Sequence, residues 1–326
     1  MKLFRKILKW IGISFGTLIG LFLCVIFILS LCRPIIFSKY EKNSKAICDI
    51  PGLNQNYTPQ GVCYNKDKKV YLFCGYMNNK TNSKIFVVND EGELIKEVNL
   101  LKEDKSLYKG HAGGIASLND DVYLSNASKI FHLKLSDILE CENKGEISFD
   151  GSFSVNSRAS YCYINDNYLF VGEYSDRSVS SYKTDSSHHF KDDKTNYAIC
   201  SLYKVDQSKE YHIDYSSPEM VLSLPDYVQG ICQIDDNTIC LSRSHGINFS
   251  SLDFYDLSKA NKVGEFDTQD VYFLGKNCLN ESVRVPPMSE DIDFVDGKIL
   301  INFESGCKKY RLVNIWKSEK LMAYTV

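Results

Sequence analysis

The chain reads as an all-β protein, a β-propeller preceded by one membrane-crossing helix. Three features predict this: a degenerate hairpin repeat, a composition rich in aromatics and poor in proline, and one long uncharged run near the N-terminus. The repeat opens on Gln60-Gly61-Val62-Cys63, Gly113-Gly114-Ile115-Ala116, Ala159-Ser160-Tyr161-Cys162, Gln229-Gly230-Ile231-Cys232 and Glu290-Asp291-Ile292-Asp293. After a polar turn each opening strand is answered by an apolar one: Val70-Tyr71-Leu72-Phe73, Val122-Tyr123-Leu124-Ser125, Tyr168-Leu169-Phe170-Val171, Ile239-Cys240-Leu241-Ser242 and Ile299-Leu300-Ile301-Asn302. A single hairpin cannot bury its own apolar face, so repeated hairpins stack against one another. Five copies predict five blades, with six as the alternative, because the 70-residue step from Ser160 to Gly230 has room for a diverged copy.

The first element is the run from Trp10 to Cys32, which carries no charged residue. As a helix it spans roughly 35 Å, enough for a hydrocarbon core of about 30 Å. Lys2, Arg5, Lys6 and Lys9 precede it and no small-x-small cleavage motif closes it, so an uncleaved signal-anchor is expected. The division is then residues 1–9 as a cytoplasmic basic tail, 10–32 as the span, 33–56 as a linker that joins the ring, and 57–326 as the propeller. Arg33, Lys39, Lys42 and Lys45 follow the span and nearly balance the tail, so the short basic tail alone leans the N-terminus toward the cytoplasm and the propeller away from it. Five Asn-x-Ser/Thr triplets, at Asn56, Asn79, Asn126, Asn248 and Asn280, fit the glycan acceptor pattern, but in a chain this rich in Asn and Ser unmodified surface turns are the favoured reading.

Composition supports a folded body: 44% apolar and 24% charged residues, with 21 Tyr and 18 Phe against 7 Pro. A net charge of −3 gives no basic stripe for nucleic acid. Of twelve cysteines, Cys63, Cys162 and Cys232 share one repeat slot, which predicts small buried side chains between blades. Cys232 and Cys240 fall opposite each other if the turn is centred near Asp236. No Cys-x-x-Cys or Cys/His spacing supports a structural zinc.

Within each copy, outer strands follow. Lys84 to Val88 pairs with Leu94 to Val98; similar outer pairs are expected at Lys129 to Leu135 with Gly145 to Phe149, and at Leu252 to Leu257 with Lys262 to Phe266. Ser136 to Glu140 reads as a helical turn. The polar stretch Thr184 to Asn196, with His188 and His189, reads as an exposed loop with solvated histidines.

In a propeller the first strands line the axis, so equivalent strand ends bring distant residues together. Gln60, Gln229 and Glu290 stand just before the repeat glycine or its substitute, with His111 and Arg158 slightly earlier in their copies. Tyr76, Asn126, Glu173, Arg243, His245 and Glu304 end the second strands. Charges at a narrow channel must be paired, hydrated or ligand-bound. Three readings stay open. The groups hold the ring together; or Gln60, Tyr76, His111, Arg158, Gln229, Arg243 and His245, near Tyr161 and Tyr174, bind a small molecule, glycan or protein; or Asn126, Glu173, Glu290 and Glu304 hold Ca²⁺ and His111 is a catalytic base. Ser305-Gly306 permits a sharp bend after Glu304, and Gly110-His111-Ala112-Gly113-Gly114 lets backbone approach a ligand. No nucleophile elbow, dinucleotide fingerprint or HExxH motif is present.

By this repeat pattern the chain after residue 56 resembles the broad group of extracytoplasmic propellers that includes gluconolactonase-like and strictosidine-synthase-like proteins. The resemblance implies a six-bladed ring and a metal-dependent lactonase or esterase activity, the alternative to binding. It carries Glu290 and Asn126 over as metal ligands, while Gln60 stands where the gluconolactonase-like family places an acidic ligand.

Overall fold

The computed structural model describes residues 2–326, with side chains at Trp10 and from Ser14 onward; the side chains of the basic tail lie outside the described residues. Helix α1, Lys2–Leu31, is followed by two short helices, α2 (Arg33–Ile36) and α3 (Ser38–Asn43). Within α1 the 18 residues Ser14–Leu31 have a mean hydropathy of 2.5 and are not covered by the rest of the chain. The helix is long and apolar enough to cross a membrane, a property it shares with signal sequences.

Strands make up the remainder, in a propeller-like arrangement. The first sheet contains Tyr57–Asn65, Val70–Met77, Lys84–Asn89 and Leu94–Leu101, each antiparallel to the next. The second contains Gly114–Leu118, Asp121–Asn126, Lys129–Lys134 and Gly151–Ser154. The third begins with Tyr161–Ile164, Tyr168–Gly172, Ala198–Val205 and Met220–Leu224, and the fourth contains Val228–Gln233, Thr238–Arg243, Ser250–Asp256 and Leu279–Val285. The last places Ser289–Val295, Lys298–Phe303 and Lys320–Thr325 beside Ser44–Asp49. Ser44–Asp49 pairs with Lys320–Thr325 and forms the outer edge of the sheet that ends the chain.

The first strands touch in order around the axis, and Ser289–Val295 returns to touch Tyr57–Asn65. Crowding at that axis explains the repeat. A Cβ on Gly114 would lie 2.5 Å from the Cys162 nitrogen, and one on Gly230 would lie 2.8 Å from the Asp291 Cα. Only a residue without a side chain permits that approach. Val62, Ile115, Ile231 and Ile292 fill the waist and are almost fully buried, each worth roughly 1.5–3 kcal/mol of burial. Cys63, Cys162 and Cys232 are buried between sheets, and Cys232 faces Cys240 across its hairpin with both thiols free.

Two outer-strand expectations are corrected. Lys129–Lys134 pairs with Gly151–Ser154, whereas Glu146–Ser148 crosses over to lie parallel to Leu94–Leu101 of the first sheet. Ser250–Asp256 pairs with Leu279–Val285, while Asn261–Phe266 and Gln269–Phe273 form a hairpin that extends the third sheet through Met220–Leu224. In both cases the next apolar segment in sequence leaves for a neighbouring sheet whose edge is still unpaired, which removes an exposed strand edge. The helical turn is present as α4, Leu135–Glu140.

Candidate functional site

Each first strand runs from one end of the axis to the other, so its two ends define two mouths. At the starting end lies a cavity of about 680 Å³ lined from every sheet, by Gln60 and Tyr76, by His111 and Asn126, by Arg158 and Tyr174, by Gln229 and His245, and by Glu290 and Glu304. Long loops after the second strands build its walls. Ala127, Ser128, Ala159 and Met288 on its lining all have left-handed backbone, with φ of 50°, 60°, 49° and 61°. Such strain in non-glycine residues costs of order 1 kcal/mol each and gathers where a surface is shaped for use.

The floor is a pair of carboxyl groups. Gln60 Nε2 donates to Glu304 Oε2 at 3.1 Å and Gln229 Nε2 approaches Glu290 Oε1 at 3.4 Å. Burial pushes Glu290 well above the usual carboxyl range, helped by the Glu304 charge beside it. Burial also raises Glu304, to about 7, against the opposing pull of Lys309 and Gln60. Each carboxyl group is disfavoured from ionising by its burial, and Glu290 further by the Glu304 charge.

Aromatic faces form the walls. His111 stacks on Tyr76 with centroids 4.6 Å apart, and its backbone N–H donates to Asn126 Oδ1 at 3.0 Å. His111 is exposed at the rim of the mouth, where the surrounding chain and the nearby Lys309 charge lower its imidazole pKa. His245 stacks on Tyr227 at 4.3 Å and its Nε2 lies 3.2 Å from Asp176 Oδ2. Tyr174 meets Tyr182 edge-on at 5.2 Å. Lys309 Nζ donates to the Tyr76 hydroxyl at 2.8 Å and sits 4.6 Å from the Tyr310 ring centroid. Arg158 Nη1 donates to the Lys183 carbonyl at 3.0 Å from its place on the lining.

Two expected members lie elsewhere. Arg243 points outward, where Nη1 donates to Asp253 Oδ2 at 2.8 Å and Nε to the Asp226 carbonyl at 3.0 Å. Glu173 is fully buried: its Oε2 accepts from the Arg158 backbone N–H, and its Oε1 accepts from the Ile199 backbone N–H and meets His188 Nδ1 at 2.8 Å. That contact also corrects the exposed-loop expectation, since His188 is only 7% exposed and ties the insertion to the third sheet. Tyr161 is likewise buried in the core, away from the lining.

The calcium set does not assemble. Ca²⁺ requires six to eight oxygen donors, yet Glu173 is committed elsewhere and Gln60 and Gln229 direct N–H donors at the oxygens a cation would need. Among the described residues no group of three or more His, Cys, Asp or Glu side chains is placed to hold a metal ion. Sequence reading missed Lys309, Tyr310, Asp176 and Tyr182 on the lining. The Ser305-Gly306 bend after Glu304 was the available signal for the first two, because it turns the following residues back over the mouth.

No protein-family model matches the chain, and no curated protein matches it in sequence. Among solved structures it is similar to Kuenenia stuttgartiensis hydrazine synthase, at 12% identity and a TM-score of 0.37 over 78% of this chain and 58% of that one. It is also similar to Myxococcus xanthus glutaminyl cyclase, at 9% and 0.45 over 87% and 97%, and to a chain of a nidogen/laminin complex, at 9% and 0.38 over 79% and 75%. The chain thus spans less than two thirds of the hydrazine synthase chain, and likenesses this distant carry no activity across.

Proposed function

We propose that this is a single-pass, membrane-anchored five-bladed propeller, held outside the cytoplasm, that binds a polar small molecule of the glycan class in the cavity at the starting end of its axis. The observation that carries the reading is convergence: Gln60, His111, Arg158, Gln229 and Glu290 come from five different first strands or their approaches and meet on one lining. The cyclic contact of five first strands supports the blade count, and the apolar length of α1 supports the anchor.

The lining suits a sugar. About 680 Å³ lies within the usual range for small-ligand sites, aromatic faces offer stacking platforms, and the carboxyl and amide floor both donates and accepts hydrogen bonds. Arg158 and Lys309 add cations for a ligand carboxylate. The test is calorimetric titration of the detergent-solubilised full chain with neutral and uronic-acid oligosaccharides. The reading expects a ligand whose affinity falls about tenfold in Lys309→Ala, one lost charged contact being worth about 1.4 kcal/mol. Binding that ignores Lys309→Ala and Arg158→Ala alike removes the cavity from consideration. Protease added to intact cells should digest the propeller, and full protection would place it in the cytoplasm.

A further inference from the structure

The loops that wall the cavity also carry an unusual share of exposed apolar surface. Leu312 is 92% exposed, Val313 62% and Ile247 61%, and Phe249 and Ile315 are open as well. All lie in the loops after the second strands of the fourth and last sheets, beside the lining residues His245, Gly246, Lys309 and Tyr310. Exposed apolar side chains gathered on two loops that meet at Phe249 and Trp316 are costly in water and mark a contact surface.

Where that rim sits relative to α1 is fixed by specific bonds. Trp316 Nε1 donates to the Leu29 carbonyl at 3.0 Å, and Arg33 Nη1 donates to the Lys317 carbonyl at 3.1 Å. Trp316 packs on Phe249 at 5.2 Å and on Phe37 at 6.1 Å. Leu29 belongs to the last turn of the apolar window, so Trp316 stands at the depth where a spanning helix leaves the hydrocarbon, the depth that indole favours. Residues 305–319 add Lys308, Lys309, Arg311 and Lys317 against the single acid Glu319, a balance suited to anionic headgroups.

We propose that the rim formed by residues 245–249 and 308–317 is a bilayer-contact surface, so that the cavity opens onto the lipid headgroups beside α1. This rests on the membrane-anchor reading of α1. A ligand would then reach the cavity along the membrane plane, and the polar floor at Glu290 and Glu304 would meet the head of an amphiphile whose apolar part stays in the lipid.

The chain has two tryptophans, Trp10 and Trp316, which makes a fluorescence test direct. The full chain is reconstituted in phosphatidylcholine/phosphatidylglycerol vesicles with or without dibrominated acyl chains. Three single-tryptophan proteins are compared: Trp316→Phe, which keeps Trp10; Leu312→Trp in the double Trp→Phe background; and Leu94→Trp in the same background. Leu94 is exposed on the hairpin beside the other mouth. Brominated lipid is expected to cut emission roughly in half for Trp10 and for the tryptophan at 312, and to leave that at 94 unchanged. Quenching of Trp10 without quenching at 312 overturns the rim proposal while leaving the anchor standing. No quenching at either position overturns both.

Discussion

The two mouths of the axis come from the same five strands yet are built by different chemistry. At the far end the lining is made of hairpin turns, and several of its polar groups are spent on tying those turns. Asn165 Oδ1 accepts from the Asn167 and Tyr168 backbone N–H groups while its amide donates to Gln233 at 2.7 Å. Asp235 Oδ1 likewise accepts from Asn237 and Thr238, and Asn65 ties its turn to Ser117 and Asn119. At the starting end, long loops leave Lys309, His111 and the Glu290/Glu304 carboxyl pair facing a larger space, about 680 Å³ against 390 Å³. A polar residue at a propeller mouth is thus informative only when the local backbone does not already use it.

The strongest way to break this contrast is to break the waist that separates the mouths. Gly230→Val would drive a side chain into the Asp291 Cα and the Ile292 nitrogen, each 2.8 Å from the position of the first added carbon. Backbone cannot yield as a flexible side chain does, so a loss of about 3 kcal/mol or more in urea unfolding is expected, with both mouths lost together.

Next in size is a dependence on pH with a contribution from each end. Glu304 at the open mouth and Asp293 at the turn mouth are both raised to about 7 by burial, above their ordinary values of 4.5 and 3.8. Folding therefore takes up protons between those limits. The stabilisation is complete below the unfolded values and is lost as pH rises through 7, at most about 3 to 4 kcal/mol for each group. Thermal unfolding from pH 5 to 8 should show a falling midpoint, flattened in part by Glu304→Gln and in part by Asp293→Asn. Only Glu304→Gln should also change ligand affinity.

Smaller effects sharpen the contrast. Asn165→Ala strands two backbone donors at the turn mouth and should cost about 1 to 2 kcal/mol in stability with ligand affinity unchanged. Arg158→Ala should do the reverse, weakening the ligand about tenfold while moving stability by less than about 0.5 kcal/mol, since its backbone contact with Glu173 is kept.

Much of the architecture was legible because it depends on local pattern. The glycines at the start of or within the first strands, Gly61, Gly114 and Gly230, report backbone crowding at the axis, and the alternating apolar strands report burial between sheets. What was not legible was the traffic between sheets: nothing in Glu146–Ser148 or Gln269–Phe273 says which neighbour has an open edge. At the site, the repeat register placed Gln60, His111, Arg158, Gln229 and Glu290 at one mouth, because the first strands share a start. It failed for Arg243 and Glu173, where the same register holds but a nearby partner, Asp253 or His188, turns the side chain away. It also failed for Lys309, which arrives by a loop outside the repeat.

The central claim is that the starting mouth, and not the turn mouth, takes the ligand. Photoreactive benzoylphenylalanine placed at Tyr182 on the first and at Tyr64 on the second, in the full chain in its native cells, tests this when irradiated protein is examined by intact mass. The account predicts small-molecule adducts at position 182 and none at 64. Adducts at 64 with none at 182 would contradict it.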